Sequence, residues 1–240
     1  MAQMSPRYGT PNLEMLQTWF GRPPEQDGPF WALNLMKYRA VADYRDGRST
    51  AVSGREADDA YAPLGPLAAV GAMVAFHADV ERQPVGTPQW DRVGIVRYPS
   101  RTAFFEMQQR DDFRRQHIHK DAGMEATIVM SCLPDPARPP APTPAEGTLV
   151  LRVAGAESGH DLAEPDGAIR LATFDVEGVI VGDDRTWSRV AFDVAPTAEV
   201  AGALLRAPDG LDEMFALTLS ARRIDALEES IRTAPPGGVR

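Results

Sequence analysis

Two histidines, two arginines and a lysine crowd one short stretch of this chain, "RRQHIHKDAG" at residues 114–123. His117 and His119 bracket Ile118, and imidazoles here could act as acid, base or ligand-positioning groups near neutral pH. Their geometry depends on the backbone. In a strand both face one side, whereas in a helix two positions amount to a turn of about 200°, so only one can reach a shared site. The structural alternative places one imidazole in solvent and packs the other against the following strand. A metal centre needs a third and usually a fourth ligand. With no HExxH pair and a single cysteine in the chain, no metal is expected. No cofactor is expected either. Haem held through His117 or His119 is a lesser alternative, without an attachment motif behind it.

Other residues could join such a site. His77, in "MVAFHADV", stands among apolar strand residues, where a pocket-facing imidazole would have a lowered pKa and a strand-end one would simply be satisfied. Asn34 and Lys37 interrupt the apolar run "FWALNLMKYR", and polar groups inside a strand must find partners or face a cavity. Arg97 and Tyr98 close a strand just before a helix start and, with Arg114, could hold a carboxylate or phenolate or form edge ion pairs. The catalytic candidates are therefore His119, His117 and His77, and the substrate-binding candidates are Asn34, Lys37, Arg97, Tyr98 and Arg114. His160, in "AESGHDLAEPDG", reads as a surface residue. Cys132, inside "ATIVMSCL", reads as a buried, inert thiol. Neither a phosphate-cradling glycine loop nor a Gly-x-Ser-x-Gly elbow occurs.

These groups must be positioned by alternating strands and helices. In order, "FWALNLMKYR", a helix broken by Pro63 and Pro66, "GAMVAFHADVE", "DRVGIVRYP", "SRTAFFEMQQRDDFRRQHI" and "EATIVMSCL" read β-α-β-β-α-β, a ferredoxin-like unit. A second, reduced copy follows. Its anchor is "TWSRVAFDVAPTAEVAGALL" at residues 186–205, which echoes "QWDRVGIVRYPSRTAFFEMQ" at 89–108, with Ser100 and Thr197 as matched N-caps. The expected fold is α+β: tandem ferredoxin-like repeats, the second degenerate, packing their open sheet faces together as an intramolecular pseudo-dimer. The expected units are residues 1–28 (N-terminal helix and lead-in), 29–133 (first repeat), 134–146 (proline-rich linker), 147–223 (second repeat) and 224–240 (short helix and tail).

Composition excludes some partners. A net charge of −9 leaves no basic surface for nucleic acid, and no apolar run of membrane-spanning length or signal peptide is evident, so a cytoplasmic setting without membrane or nucleic-acid partners is expected.

The stretches "ALNLMKYR" at 32–39 and "WDRVGIVRYPSRTAFFEM" at 90–107, with the H-K-x-A-G pattern of His119, Lys120, Ala122 and Gly123, resemble the dimeric α+β barrel superfamily and, within it, the domain of unknown function 1330 family. The resemblance covers most of residues 12–133. Lys120 stands where that family's pattern leads one to expect arginine. The resemblance implies a ferredoxin-like fold whose barrel or sheet face holds a pocket, and implies no fixed reaction.

Together these features point to a small-molecule enzyme, with cofactor-independent acid/base cyclisation, isomerisation or oxygenation of an aromatic or polyketide-like substrate in one pocket. The alternative is a non-catalytic small-molecule-binding or structural module. A homodimer of pseudo-dimers is a possible assembly.

Overall fold

The computed structural model describes residues 6–155, 162–208 and 213–235. Its strands are β1 (Thr10–Pro11), β2 (Phe30–Tyr38), β3 (Met73–Val85), β4 (Arg92–Tyr98), β5 (Met124–Pro134), β6 (Thr148–Gly155), β7 (Ile169–Gly182), β8 (Trp187–Ala195) and β9 (Met214–Leu219). The helices are α1 (Leu13–Phe20), α2 (Gly54–Ala60), α3 (Leu64–Ala69), α4 (Arg101–Gln109), α5 (Asp111–Gly123), α6 (Ala198–Leu204) and α7 (Asp225–Arg232). None of these is long and apolar enough to cross a membrane.

The expected α+β pair of ferredoxin-like repeats, stacked as a pseudo-dimer, is not what forms. Eight strands make one closed antiparallel barrel in the order β7-β5-β2-β4-β3-β9-β6-β8, with β8 returning to β7, and the helices are few. The physical reason lies in two long strands. β3 pairs with β4 over Met73–Asp79 and then runs on to pair with β9 at Val80, Arg82 and Val85. β7 does the same, meeting β8 through Ile169–Asp175 and β5 through Phe174–Val181. Each half's edge strand is thereby hydrogen-bonded to the other half, and closure removes the edges that stacked sheets would leave open. Burial of sheet faces is legible in the apolar pattern, whereas the length of β3 and β7 that allows closure is not.

Alternation along the strands then decides what fills the barrel. Trp31, Leu33 and Leu35 of β2, Val93 and Ile95 of β4, and Ile128, Met130 and Cys132 of β5 belong to one core with Phe174, Phe192 and Phe215. Phe192 packs edge-on against Phe76 and Phe174, with ring centroids 5.3 and 6.5 Å away. Burial raises the Cys132 thiol pKa, which matches the inert thiol expected. At one end α7 inserts Leu227, and the Trp31 indole donates to Ser230 Oγ at 2.9 Å. An eight-stranded barrel is just wide enough for its own side chains. Its inside is core, so the polar groups able to do chemistry lie on the outer face beneath the helices.

Local signals hold well. Ser100 and Thr197 cap α4 and α6, accepting from Ala103 N at 3.0 Å and Val200 N at 3.3 Å. The segment read as a single second helix instead breaks at Arg110, which is extended (φ −69°, ψ 135°) and donates to the Asp112 carboxylate. The second piece, α5, carries the whole of "RRQHIHKDAG" in helical form.

α5 is seated by a pair of glycines. A Cβ on Gly54 would lie 2.3 Å from Gly123 O, and one on Gly123 would lie 2.4 Å from Gly54 O, so α2 and α5 touch backbone to backbone. Gly123→Ala is expected to destabilise by about 1–3 kcal/mol through overpacking, measured by urea unfolding. An unchanged midpoint would show that the helices can separate at no cost.

Candidate functional site

The phase of α5 sorts the histidine-rich stretch. Phe113, His117 and Lys120 fall at i, i+4 and i+7, one stripe against the barrel, while Asp111, Arg114, Arg115 and Ile118 face outward along a depression of about 550 Å³. Because the segment is helical, His117 and His119 diverge. His119 Nδ1 bonds the Tyr44 hydroxyl at 2.8 Å, on the flank of the helix. His117 turns inward and meets the Tyr8 hydroxyl with Nε2 at 2.7 Å. Its ring packs between Phe113 (5.3 Å) and Tyr61 (6.0 Å).

Lys120, one turn further along, is the most unusual member of this cluster. It is 9% exposed, and its single hydrogen bond among the described residues goes to a neutral acceptor, Asn34 Oδ1 at 3.2 Å. The Nζ lies 5.8 Å from the centre of the Tyr8 ring and 5.5 Å from that of Tyr61, within reach of both aromatic faces. No described carboxylate forms an ion pair with it. Burial lowers its pKa, an effect partly offset by the charge of Asp58. That carboxylate is itself engaged, accepting from Tyr38 OH at 2.6 Å and from Arg92 at 3.3 Å.

The electrostatics of the cluster follow from this packing. Burial, assisted by the Lys120 charge, lowers His117 from 6.5 to about 4, so it is a neutral imidazole near pH 7. Burial raises Tyr8 and Tyr61, which stay as phenols. With the imidazole proton on Nδ1, the Tyr8 hydroxyl donates to Nε2; with it on Nε2, the direction reverses. Tyr8 is held in place by its own segment. Thr127 N donates to Tyr8 O at 2.8 Å, and Arg7 reaches Asp121 at 3.1 Å and Asp43 at 2.7 Å. Burial alone would raise Asp121, but hydrogen bonds from Arg45 and Arg7 outweigh it and lower its pKa.

The pH consequence can be measured. Above pH 6.5 His117 is neutral whether the chain is folded or unfolded. As pH falls from 6.5 towards 4 the unfolded chain takes up a proton that the folded one does not, so stability drops by roughly 3 kcal/mol across that window. His117→Phe is expected to remove this part of the pH dependence in urea unfolding curves at pH 7 and pH 4.5. An unaltered difference between the two pH values would place the titration elsewhere.

The remaining sequence candidates do not converge on this cluster. His77 is exposed on β3. Lys37 pairs with Glu125 at 3.6 Å. Arg97 lies on the inner side of β4 at the barrel mouth, in register with Trp31 and Met73, and its buried Nε has no hydrogen-bond partner among the described residues. Tyr98 is core, stacked on Phe30 at 5.2 Å with its hydroxyl on Met107 Sδ. Arg114 is exposed beside Asp111. Of the eight candidates, only His117 and Asn34 belong to the Lys120 cluster, and His160 lies outside the described residues. The sequence reading passed over Tyr8 and Asp58 and gave Lys120 no role. For Lys120 a signal existed, the i, i+4, i+7 stripe from Phe113, whereas Tyr8 arrives from over a hundred residues away and left none.

Among the described residues no three His, Cys, Asp or Glu side chains gather as metal ligands. Haem does not fit at His117, because Nε2 is taken by Tyr8 and the ring is enclosed by Tyr61 and Phe113.

No protein-family model matches the chain, and no curated protein matches it. Among solved structures, the methylated RPA0582 protein is 31% identical over 55% of this chain and 98% of its own, with a TM-score of 0.47. A second structure of RPA0582, described as a protein of unknown function from Rhodopseudomonas palustris, is 28% identical over 52% of this chain and 94% of its own, with a TM-score of 0.44. A chlorite dismutase variant from Candidatus Nitrospira defluvii is 10% identical over 90% of this chain and 98% of its own, with a TM-score of 0.44. A putative monooxygenase from Lactobacillus acidophilus is 11% identical over 80% and 93%, with a TM-score of 0.39.

Proposed function

We propose that this chain is a small-molecule enzyme doing cofactor-independent acid/base chemistry, and that its working groups are Tyr8, Tyr61, His117 and Lys120. The observation that carries this reading is Lys120: a buried amine with one neutral hydrogen-bond partner and no ion pair among the described residues, three positions from a neutral histidine. Burying such a group costs stability unless something else requires it, and perturbed titratable groups cluster at functional sites. In this reading His117 accepts a proton by way of the Tyr8 hydroxyl, while Lys120 and the Tyr61 phenol stabilise the oxyanion that develops on a carbonyl or phenol. An aromatic or polyketide-like substrate suits the aromatic walls. It would enter from the side covered by residues 6–11, which are held by two residue pairs of β1, the Thr127–Tyr8 and Tyr8–His117 hydrogen bonds and the Arg7 contacts.

The test is a turnover and thermal-shift screen with aromatic acids, phenols and 1,3-dicarbonyl compounds. An accepted substrate should lose on the order of 100-fold or more in rate with His117→Phe. A ligand bound equally by parent and variant, with no turnover, would instead support the second reading, a non-catalytic binding module, which the short Tyr8–His117 hydrogen bond sealing the cluster favours. The likeness of residues 12–133 to the domain of unknown function 1330 family and a cytoplasmic setting belong to the same proposal.

A further inference from the structure

We infer that Lys120 is a covalent attachment point for a carbonyl substrate, its amine condensing with an aldehyde or ketone to form a Schiff base beside His117. This rests on the acid/base reading of the same cluster and deepens it by naming the substrate class. The first support is composition. Of 25 basic side chains only two are lysines, Lys37 and Lys120. Every other cation is an arginine, which stays protonated and cannot add to a carbonyl. Ion pairing and surface charge are thus left to arginine throughout the described structure, as at Arg92, Arg101, Arg152 and Arg170, with the Lys37–Glu125 contact as the exception.

The second support is geometry. Lys120 Nζ needs one of its hydrogens for Asn34 Oδ1, and Asn34 is fixed in turn by donating from Nδ2 to Ala32 O at 2.9 Å. That bond survives loss of a proton from the ammonium, because a neutral amine still donates while its lone pair becomes free. Burial of Lys120 beneath α5 disfavours the ammonium, the condition that activates a lysine as nucleophile.

The chemistry balances without an oxidant or reductant. The amine nitrogen forms a bond to the carbonyl carbon, the carbon–oxygen bond breaks and the oxygen leaves as water carrying both amine hydrogens. A proton taken up from solvent at the imine nitrogen gives an iminium. The adjacent carbon then releases its proton by way of the Tyr8 hydroxyl to His117 Nε2, and the electron pair of that C–H bond moves into the enamine.

The experiment uses the full chain and acetylacetone, a 1,3-diketone that condenses with a free amine to a stable enaminone absorbing in the near ultraviolet. Peptide mapping has only Lys37, Lys120 and the α-amine to distinguish. At pH 7.5 Lys120 should be labelled faster than Lys37, because burial leaves more of its amine uncharged. Lys120→Met should remove the Lys120 adduct and its share of the chromophore, while Lys37 and the α-amine label at unchanged rates. Preferential labelling of Lys37, or no labelling of Lys120 under conditions that label both lysines of the urea-unfolded chain, overturns the inference. The two readings fail separately. Unlabelled Lys120 with turnover still dependent on His117 removes only the covalent step, whereas labelled Lys120 with turnover indifferent to His117 removes only the proton-transfer role.

Discussion

Asp193→Ala is expected to cost roughly 3–5 kcal/mol of folding stability, the largest effect of any single substitution considered for this protein. Asp193 is fully buried in β8 and accepts from two arginines on neighbouring strands: Arg152, at 3.0 and 2.8 Å to one oxygen, and Arg170 to the other. Arg152 also donates to Ala163 O at 3.0 Å. Removing the carboxylate strands two guanidinium groups that arginine cannot relieve by deprotonation. In a chain of this length, a melting temperature lower by about 10 °C is the corresponding readout. A loss below about 1 kcal/mol would mean that water reaches the arginines and the burial is only apparent. Replacing the whole triad with methionine and leucine should restore most of the loss, because desolvation offsets much of what a buried ion network gains.

The opposite sign is expected at Lys120. Lys120→Met should leave stability unchanged or raise it by about 1 kcal/mol, because a buried amine without a counter-charge is exchanged for a thioether chain of similar length. The same substitution should lower turnover of an accepted substrate by on the order of 100-fold, the effect of removing a buried oxyanion-stabilising group. Urea unfolding and steady-state rates on the same preparation check both halves. A variant that is both inactive and destabilised by several kcal/mol would assign Lys120 to the framework. The buried Asp193 charge is completely paired, as structural charges are, and that of Lys120 is left with a single amide oxygen.

The sequence carried much of the local structure and little of its closure. Apolar alternation placed the strands, and the proline–serine and proline–threonine steps before residues 101 and 198 placed the caps of α4 and α6. The arrangement as paired α+β repeats failed because pairing between β3 and β9, and between β5 and β7, depends on strand edges, which hydrophobic pattern does not report. The choice between His117 and His119 was stated correctly as conditional: once residues 111–123 are helical, only one can look inward. The sequence could not say which, since the answer depends on Tyr8 and Tyr61 arriving from distant segments. A lysine ordinarily reads as solvated surface, which masks the i, i+4, i+7 stripe from Phe113 that turns Lys120 inward.

The central claim is that the Tyr8–Tyr61–His117–Lys120 cluster exists to meet a ligand. Its most direct test is thermal unfolding of the parent protein, Lys120→Met and His117→Phe against one panel of aromatic acids, phenols and 1,3-dicarbonyl compounds. A ligand at about 100 times its dissociation constant should stabilise the parent by roughly 2.7 kcal/mol. The prediction is at least one compound that raises the melting temperature of the parent and leaves both variants unmoved. Equal shifts in all three proteins, or none in any of them alongside a destabilised Lys120→Met, would contradict it.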